Sequence, residues 1–164
     1  MYKRQLKKEV QKKRLSLDWA NIKNWAKLVD ELYKEYVRPK IVQPTFLIDH
    51  PAKLCPLAKN KEDNPILSER FQLVLAEGIE LINAYSELND PIEQERRFEE
   101  FAKEKGVEWE EAKRKDIDFL TALKYGMPPT AGWGMGIDRL TMILTNQKSI
   151  KDVILFPTMR PKNE

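Results

Sequence analysis

With 164 residues, the chain is the size of one ordinary domain, and its 41% hydrophobic and 34% charged residues exclude a disordered or fibrous protein. No apolar run reaches the roughly 18 residues of a membrane helix, and the basic start lacks the apolar stretch of a signal peptide, so we expect a cytoplasmic protein with no membrane partner. A single Cys55 and a single His50 exclude an internal disulfide and a Cys/His zinc site, so any metal is expected on carboxylates.

The N-terminal segment, residues 1–24, is predicted to be basic and helical. Residues 1–14 hold seven Lys or Arg against one Glu. Such a charge run indicates either a solvated helix face or an arm that binds nucleic acid, and the scarcity of aromatic residues favours the first. An amphipathic helix is predicted over residues 17–37, where apolar residues recur at helical spacing until Pro39 ends the segment.

The middle of the chain predicts short strands. Prolines punctuate short apolar runs over residues 43–59, and two further strands are expected at 70–75 and 80–88. The Glu77-Gly78 pair between them predicts a hairpin, so the sheet should be antiparallel at least locally.

Helices are expected to follow the hairpin. Asp90 is a strong N-cap candidate, with Pro91 at the first helical position, and this helix should end at Gly106. A second helix is predicted at about 114–125, and a third opens at Asp138 after a glycine-rich segment.

That segment places Gly132, Gly134 and Gly136 at alternate positions. On an extended chain, three bare Cα atoms then share one face, on which a flat ligand could lie. A glycine kink against a neighbouring helix is the structural alternative. Arg139, at the start of the next helix, suits a phosphate group because the free N–H groups there already favour an anion.

A second candidate site lies on the strand over residues 80–88. Asn83, Tyr85 and Glu87 share one face by the two-residue period. An aromatic wall beside a carboxylate suits a long cationic side chain, although a solvent-exposed polar strand face would give the same pattern.

Six stretches of the sequence, in this order and spacing, resemble the C-terminal part of the catalytic domain of class II lysyl-tRNA synthetases from about residue 25 to the end. They are PTFLIDHP, PLAK, RFQLVL, NAYSELNDPIEQERRFEE, YGMPPTAGWGMGIDRLTM and DVILFPTMRPK. The resemblance implies an α+β fold, an antiparallel sheet flanked by helices. It implies that lysine reacts with ATP to form lysyl-adenylate and is then passed to tRNA(Lys), with Mg²⁺ as cofactor and a homodimer as the full-length enzyme.

The resemblance also implies roles for particular residues. Arg139 matches the arginine of motif 3 that binds the γ-phosphate, and Glu80 matches a carboxylate for ATP and Mg²⁺. The remaining matches fall into two groups: Gly136 lines the ATP site, and the lysine site is formed by Asn83, Tyr85, Glu87, Gly132 and Gly134. Glu80 differs in parity from Asn83, so it can share their face only if a β-bulge intervenes.

Departures from the family pattern accompany these matches. Gln72 stands where the family has a second magnesium-binding glutamate, and a neutral amide is a weaker ligand for a hard cation. One extra residue falls between Arg70 and Glu80, which the turn at Glu77-Gly78 should absorb. Lys53 and Cys55 stand where Glu and Ser are common, away from the expected pocket.

Other family elements have no counterpart in the chain. Nothing resembles the anticodon-binding barrel, the motif 1 helix or the motif 2 arginine. The resemblance places residues 1–24 in the insertion after motif 2, although their start matches no family segment and is not expected to be native, and residues 25–164 in the C-terminal part of the catalytic domain. We therefore expect a fragment that is incomplete and inactive alone.

Two other functions are compatible with the sequence. A ligase that attaches lysine to a translation factor uses the same chemistry, although the NAYSELNDP and DVILFPTMRPK stretches favour the tRNA enzyme. A non-catalytic binding module derived from the synthetase fold is the second alternative.

Overall fold

The computed structural model of the chain describes residues 2–17, 19, 22, 24–105 and 109–158. Two sequence expectations lie outside these residues: Gly106 as a helix end, and the tail from residue 159. Five α-helices and four strands occur in the described part: α1 Tyr2–Lys12, α2 Trp25–Leu32, β1 Thr45–Pro51, β2 Leu67–Leu75, β3 Ile79–Ser86, α3 Pro91–Lys105, α4 Trp109–Lys124, β4 Ala131–Met135 and α5 Ile137–Leu144.

The four strands form one antiparallel sheet in the order β1-β2-β3-β4. With the five helices this sheet gives a mixed α and β structure, so the predicted α+β class with an antiparallel sheet is confirmed. The β2–β3 connection is a short 3₁₀ turn, Ala76–Gly78, in which Glu77 and Gly78 both have positive φ, at 61° and 75°. Glycine suits the second position, because a Cβ there would lie 2.7 Å from Cγ of Arg38.

A β-bulge interrupts the β2–β3 ladder. Leu73 pairs with Ile82, but the next residue, Val74, pairs with Glu80, so Leu81 is an extra residue on β3. Such a residue shifts the alternation of side chains by one position. Glu80 thereby shares the face of Asn83, as the sequence required if both belong to one site.

The two faces of the sheet differ in polarity. Gln72, Asn83 and Gly134 stand in register on the face that we call the ligand face. The opposite face carries apolar side chains that remain largely exposed, with Phe46 62% and Trp133 67% accessible. An apolar face of this kind is typical of a surface that packs against further protein.

Several predicted boundaries are wrong, for local reasons. The helix expected from residue 17 begins at Trp25, because Asn24 caps it by accepting from the Lys27 N–H at 2.9 Å. The predicted end at residue 37 agrees with the structure, in which α2 runs into a π-turn, Tyr33–Val37, and a separate 3₁₀ turn, Arg38–Lys40, contains Pro39.

The later elements also differ in their ends. The strand expected at 80–88 ends at Ser86, with Glu87 in an isolated bridge to Ala58. The helix expected from about 114 begins at Trp109. Asp90 does cap α3, since its Oδ1 accepts from the N–H groups of Ile92 and Glu93.

The helices pack in two places. In the N-terminal part, Val10 of α1 is buried with Ile22 and Leu28. Further along the chain α3 packs on α4, where the rings of Phe98 and Phe119 lie 6.1 Å apart. No helix in the described ranges is long and apolar enough to cross a membrane.

Arg97 fastens α3 to the segment that precedes β2. Its guanidinium donates to Glu93 Oε1 and the Ala58 carbonyl, both at 2.7 Å, and to Asn60 Oδ1 at 3.0 Å. Arg96 and Arg97 together lower the pKa of Glu93 to about 2. Since Ala58 bridges Glu87, this anchor supports the end of β3.

We predict that Arg97→Met lowers the free energy of unfolding by roughly 2–4 kcal/mol, because it leaves the buried Ala58 carbonyl and Asn60 Oδ1 without their donor. Arg96→Met is the matched control, since Arg96 also bonds Glu93 but its side chain is 52% exposed, against 10% for Arg97. Its cost should stay under about 1 kcal/mol. Urea unfolding measures both, and equal losses would contradict the anchor.

Candidate functional site

The register of β2, β3 and β4 brings the sequence-predicted residues into two adjacent rows on the ligand face. Gln72, Asn83 and Gly134 form one row. Arg70, Tyr85 and Gly132 form the next, because Arg70 and Gly132 are the two neighbours of Tyr85. The pairing therefore brings together residues from Arg70 to Gly134, which are 64 positions apart in the sequence.

The three glycines occupy different surroundings. A Cβ on Gly132 would lie 1.9 Å from Oε1 of Glu87, so the carboxylate rests on the bare Cα. A Cβ on Gly134 would meet nothing within 4 Å, so the space over this residue is open. Gly136 lies outside β4 as the N-cap of α5, with Arg139 Cδ 3.3 Å from its hypothetical Cβ. Only Gly134 thus offers the open backbone that the sequence pattern suggested for all three.

Asn83 is held in a defined orientation. Arg70 Nε donates to its Oδ1 at 2.8 Å, and its Nδ2 donates to the Tyr85 hydroxyl at 3.1 Å. Arg70 also donates to Cys55 Sγ at 3.1 Å. Sequence reasoning missed Arg70, although its parity with Gln72 on β2 placed it on the same face.

Glu87 lies one residue beyond β3, where its backbone N–H donates to the Thr130 carbonyl at 2.9 Å. The side chain is half-buried and lines an open cavity of about 330 Å³, together with Lys59, Glu69 and Asn89. Within the part of the chain that the structure describes, no group donates a hydrogen bond to this carboxylate. Glu87 is therefore available to a cationic ligand.

At the opposite end of β3, five polar side chains meet in what we call the Glu80 corner: Arg38, His50, Gln72, Glu80 and Arg139. Glu80 Oε1 lies 3.1 Å from Arg38 Nη1, and Gln72 Nε2 donates to Oε2 at 3.3 Å. Arg139 donates to the backbone carbonyl of Glu80. The bulge at Leu81 makes this meeting possible.

Neither His50 nor Arg38 was predicted from the sequence to belong to a site. His50 follows a register shift in the β1–β2 pairing, next to Asp49 with φ 58°, so simple alternation misplaces it. Its Nε2 lies 3.0 Å from Gln72 Oε1. Burial lowers the pKa of His50, an effect that the hydrogen bond to Gln72 opposes, so the ring is neutral at neutral pH.

Two guanidinium groups face one cavity at this corner. Arg38 and Arg139 line a space of about 270 Å³ with Gly78, Glu80 and Met142. Two cations beside one carboxylate leave a net positive charge, which suits a phosphate chain. The same Glu80 charge, after burial, contributes to the raised pKa of Tyr33.

A resident magnesium ion needs oxygen ligands, and this corner offers few. Among the described residues, no three His, Cys, Asp or Glu side chains lie close enough to hold a metal ion. Glu80 is the carboxylate of the corner, and Gln72 turns its nitrogen toward it. The donor set fits a magnesium ion that takes one protein carboxylate and completes its shell with substrate phosphates and water.

Comparison with known proteins agrees with this geometry. The chain matches the family described as tRNA synthetases class II (D, K and N) over residues 2–160.

Its relatives include proteins named lysine–tRNA ligase. That of Roseiflexus sp. strain RS-1 is 54% identical over 140 residues, which are 85% of this chain and 28% of the relative. That of Dehalococcoides mccartyi strain ATCC BAA-2266 is 51% identical over 163 residues, 99% of this chain and 32% of the relative. The protein of Moorella thermoacetica is 55% identical over 138 residues, with 84% and 28% covered. The chain thus spans about a third of the length of these relatives, and it belongs to the class II tRNA synthetases of the D, K and N family.

Proposed function

We propose that the chain supplies part of the site at which lysine and ATP form lysyl-adenylate, and that the whole protein then passes lysine to tRNA(Lys). The observation that carries the proposal is the Glu87 carboxylate, which rests on Gly132 without a donor from the described residues and lies just beyond the end of β3, two positions after Tyr85. The names of the relatives favour tRNA over a translation factor as the acceptor.

The lysine end of the site is proposed to lie along β3. Glu87 would bind the ε-ammonium, and the Tyr85 ring would flank the methylenes. Arg70 fixes Asn83 with its oxygen engaged, so the amide is preorganised before a ligand arrives. Gly134 would allow the ligand to lie directly on the strand backbone.

The phosphate end is proposed to lie at the Glu80 corner. Arg139 would bind the γ-phosphate, and Gly136 keeps the arginine stem close to the strand end. A lysine carboxylate oxygen attacks the α-phosphorus, the bond to the β-phosphate oxygen breaks, and pyrophosphate leaves with its electron pair. A guanidinium on the departing phosphates lowers the barrier because it offsets charge that grows in the transition state.

Mg²⁺ is proposed to accompany ATP, with Glu80 as the carboxylate that reaches it. Bound there, the ion would neutralise phosphate charge. Gln72 is the weaker candidate, since its amide nitrogen faces Glu80.

The whole protein is proposed to be a cytoplasmic homodimer that acts on lysine, ATP and tRNA(Lys), with no membrane partner. Within the chain, residues 1–24 are proposed to be a basic segment of the insertion and residues 25–164 the C-terminal part of the catalytic domain. The isolated chain should be inactive, because no residue assigned here lies at the α-phosphate with a positive charge.

The first test is Arg139→Ala in a chimaera, the Dehalococcoides mccartyi relative with its matching segment replaced by this chain. We expect ATP–pyrophosphate exchange to fall by about 10²-fold or more, because the charge-assisted contact acts in the transition state. Arg96→Ala, an exposed arginine on α3, is the control and should leave the rate unchanged. An unaltered rate in Arg139→Ala would assign Arg139 a purely structural role.

Glu87→Gln in the same chimaera should weaken lysine binding by roughly 2–5 kcal/mol, since a desolvated ammonium loses its counter-charge. ATP affinity should change little. Glu69→Gln is the matched control, because Glu69 lines the same cavity and loses the same charge. Calorimetry measures each ligand, and equal lysine affinities in Glu87→Gln and the parent would exclude this lysine pocket.

The two strand glycines are proposed to support lysine binding in different ways, and substitution should separate them. Gly134→Ala should keep the free energy of unfolding within about 1 kcal/mol, because its Cβ meets open space, yet weaken lysine binding by about tenfold, because the methyl group occupies space proposed for the ligand. Gly132→Ala should instead weaken lysine binding by displacing the Glu87 carboxylate. Calorimetry with lysine and urea unfolding provide the measurements. Normal lysine binding by a folded Gly134→Ala protein would contradict the placement of lysine on β4.

A further inference from the structure

The two oxygens of the Glu80 carboxylate have different partners. Oε2 accepts from the Gln72 amide at 3.3 Å, and Gln72 is 7% exposed. Oε1 lies 3.1 Å from Arg38 Nη1, in a pair whose side chains are 36% and 30% exposed. One oxygen is therefore held from inside the protein, and the other faces the solvent side.

The orientation of the Gln72 amide follows from hydrogen-bond chemistry. A carboxylate only accepts, so the amide must turn its NH₂ group to Glu80. Its oxygen then faces His50, 3.0 Å away, and the neutral ring must carry its proton on Nε2. Gln72 Oε1 thus already accepts a hydrogen bond from His50, and a metal ion cannot bind it without breaking that bond.

Oε1 of Glu80 is left as the position for a cation, and Arg38 holds it. A second contact anchors the guanidinium, whose Nε donates to the Gly78 carbonyl at 2.8 Å. Arg38 also faces the cavity that Arg139 lines. A phosphate chain in that cavity would offer Arg38 another anionic partner within reach.

We infer that Arg38 and a divalent cation compete for Oε1 of Glu80, and that Arg38 holds this oxygen until phosphates draw its guanidinium away. The phosphate part of the inference rests on the proposed function, whereas the competition itself concerns the metal alone. Two positive charges cannot share one carboxylate oxygen without repulsion, so metal binding requires Arg38 to move.

The test measures Mn²⁺ binding to the 164-residue chain without ATP, with free Mn²⁺ counted by electron paramagnetic resonance. Arg38→Ala should tighten binding by roughly twofold to fivefold, the factor expected of a half-exposed ion pair. Lys40→Ala, which removes an exposed charge two positions away, is the matched control and should change the affinity by less. The double substitution Arg38→Ala with Glu80→Gln should lose the gain.

An affinity unchanged in Arg38→Ala, an equal gain in Lys40→Ala, or a gain that survives Glu80→Gln would each overturn the inference. His50 is the only histidine, so its ring resonances in the NMR spectrum report whether each variant keeps the corner folded. If Arg38→Ala unfolds the corner, Arg38→Gln, which keeps much of the side chain without the charge, takes its place with the same expected gain. Because the measurement uses no ATP, a failure of the proposed function would leave its outcome unaffected.

Discussion

The site geometry depends on one extra residue in β3. Simple alternation would place Glu80 and Asn83 on opposite faces, and the bulge at Leu81 returns both to the ligand face. Without it the Glu80 carboxylate would point toward the apolar face, away from Arg38 and Gln72. The contacts of Glu80 with Arg38 and Gln72 would then be lost, and Gln72 would no longer connect Glu80 to His50. The bulge is thus what links two ends of one strand into one candidate site.

The far end of β3 depends on a different interaction, because regular pairing has ended there. Arg97 donates to the Ala58 carbonyl, and Ala58 bridges Glu87. A buried guanidinium on α3 therefore helps to determine where the Glu87 carboxylate, proposed to bind lysine, lies. Gly132 completes the arrangement because only a bare Cα admits the Glu87 side chain at that distance. The residues that stabilise this end of β3 therefore also position the proposed lysine pocket. Loss of the Arg97 contacts should alter the pocket, although Arg97 itself is not proposed to contact the ligand.

Sequence reasoning succeeded where the local pattern decides the structure. The hairpin, the antiparallel sheet and the Asp90 cap follow from turn residues, alternation and capping preferences, each read within a few positions. It failed where distant segments meet. His50 follows a register shift in the β1–β2 pairing, and Arg38 reaches Glu80 across 42 positions, so neither leaves a periodic signal. The start of α2 was predicted too early, at residue 17, for another reason. Apolar residues recur at helical spacing before residue 24, but the N-cap at Asn24 makes the helix begin at Trp25.

On the proposed function, one face of the sheet binds the substrates and the other packs against further protein. On the ligand face the polar side chains satisfy one another, as in the Arg70–Asn83–Tyr85 and His50–Gln72–Glu80 chains, so both substrate ends are preorganised. The centre between them, over Gly134, is open and carries no side chain of its own. A phosphoryl group reacting there would gain stabilisation only from donors that reach in over the glycine. The exposed apolar face on the other side offers a surface on which further protein can pack, and the relatives are about three times as long as this chain. On the proposed function, the chain binds the two ends of the substrates, and the groups that act at the α-phosphate belong to protein that approaches the open centre.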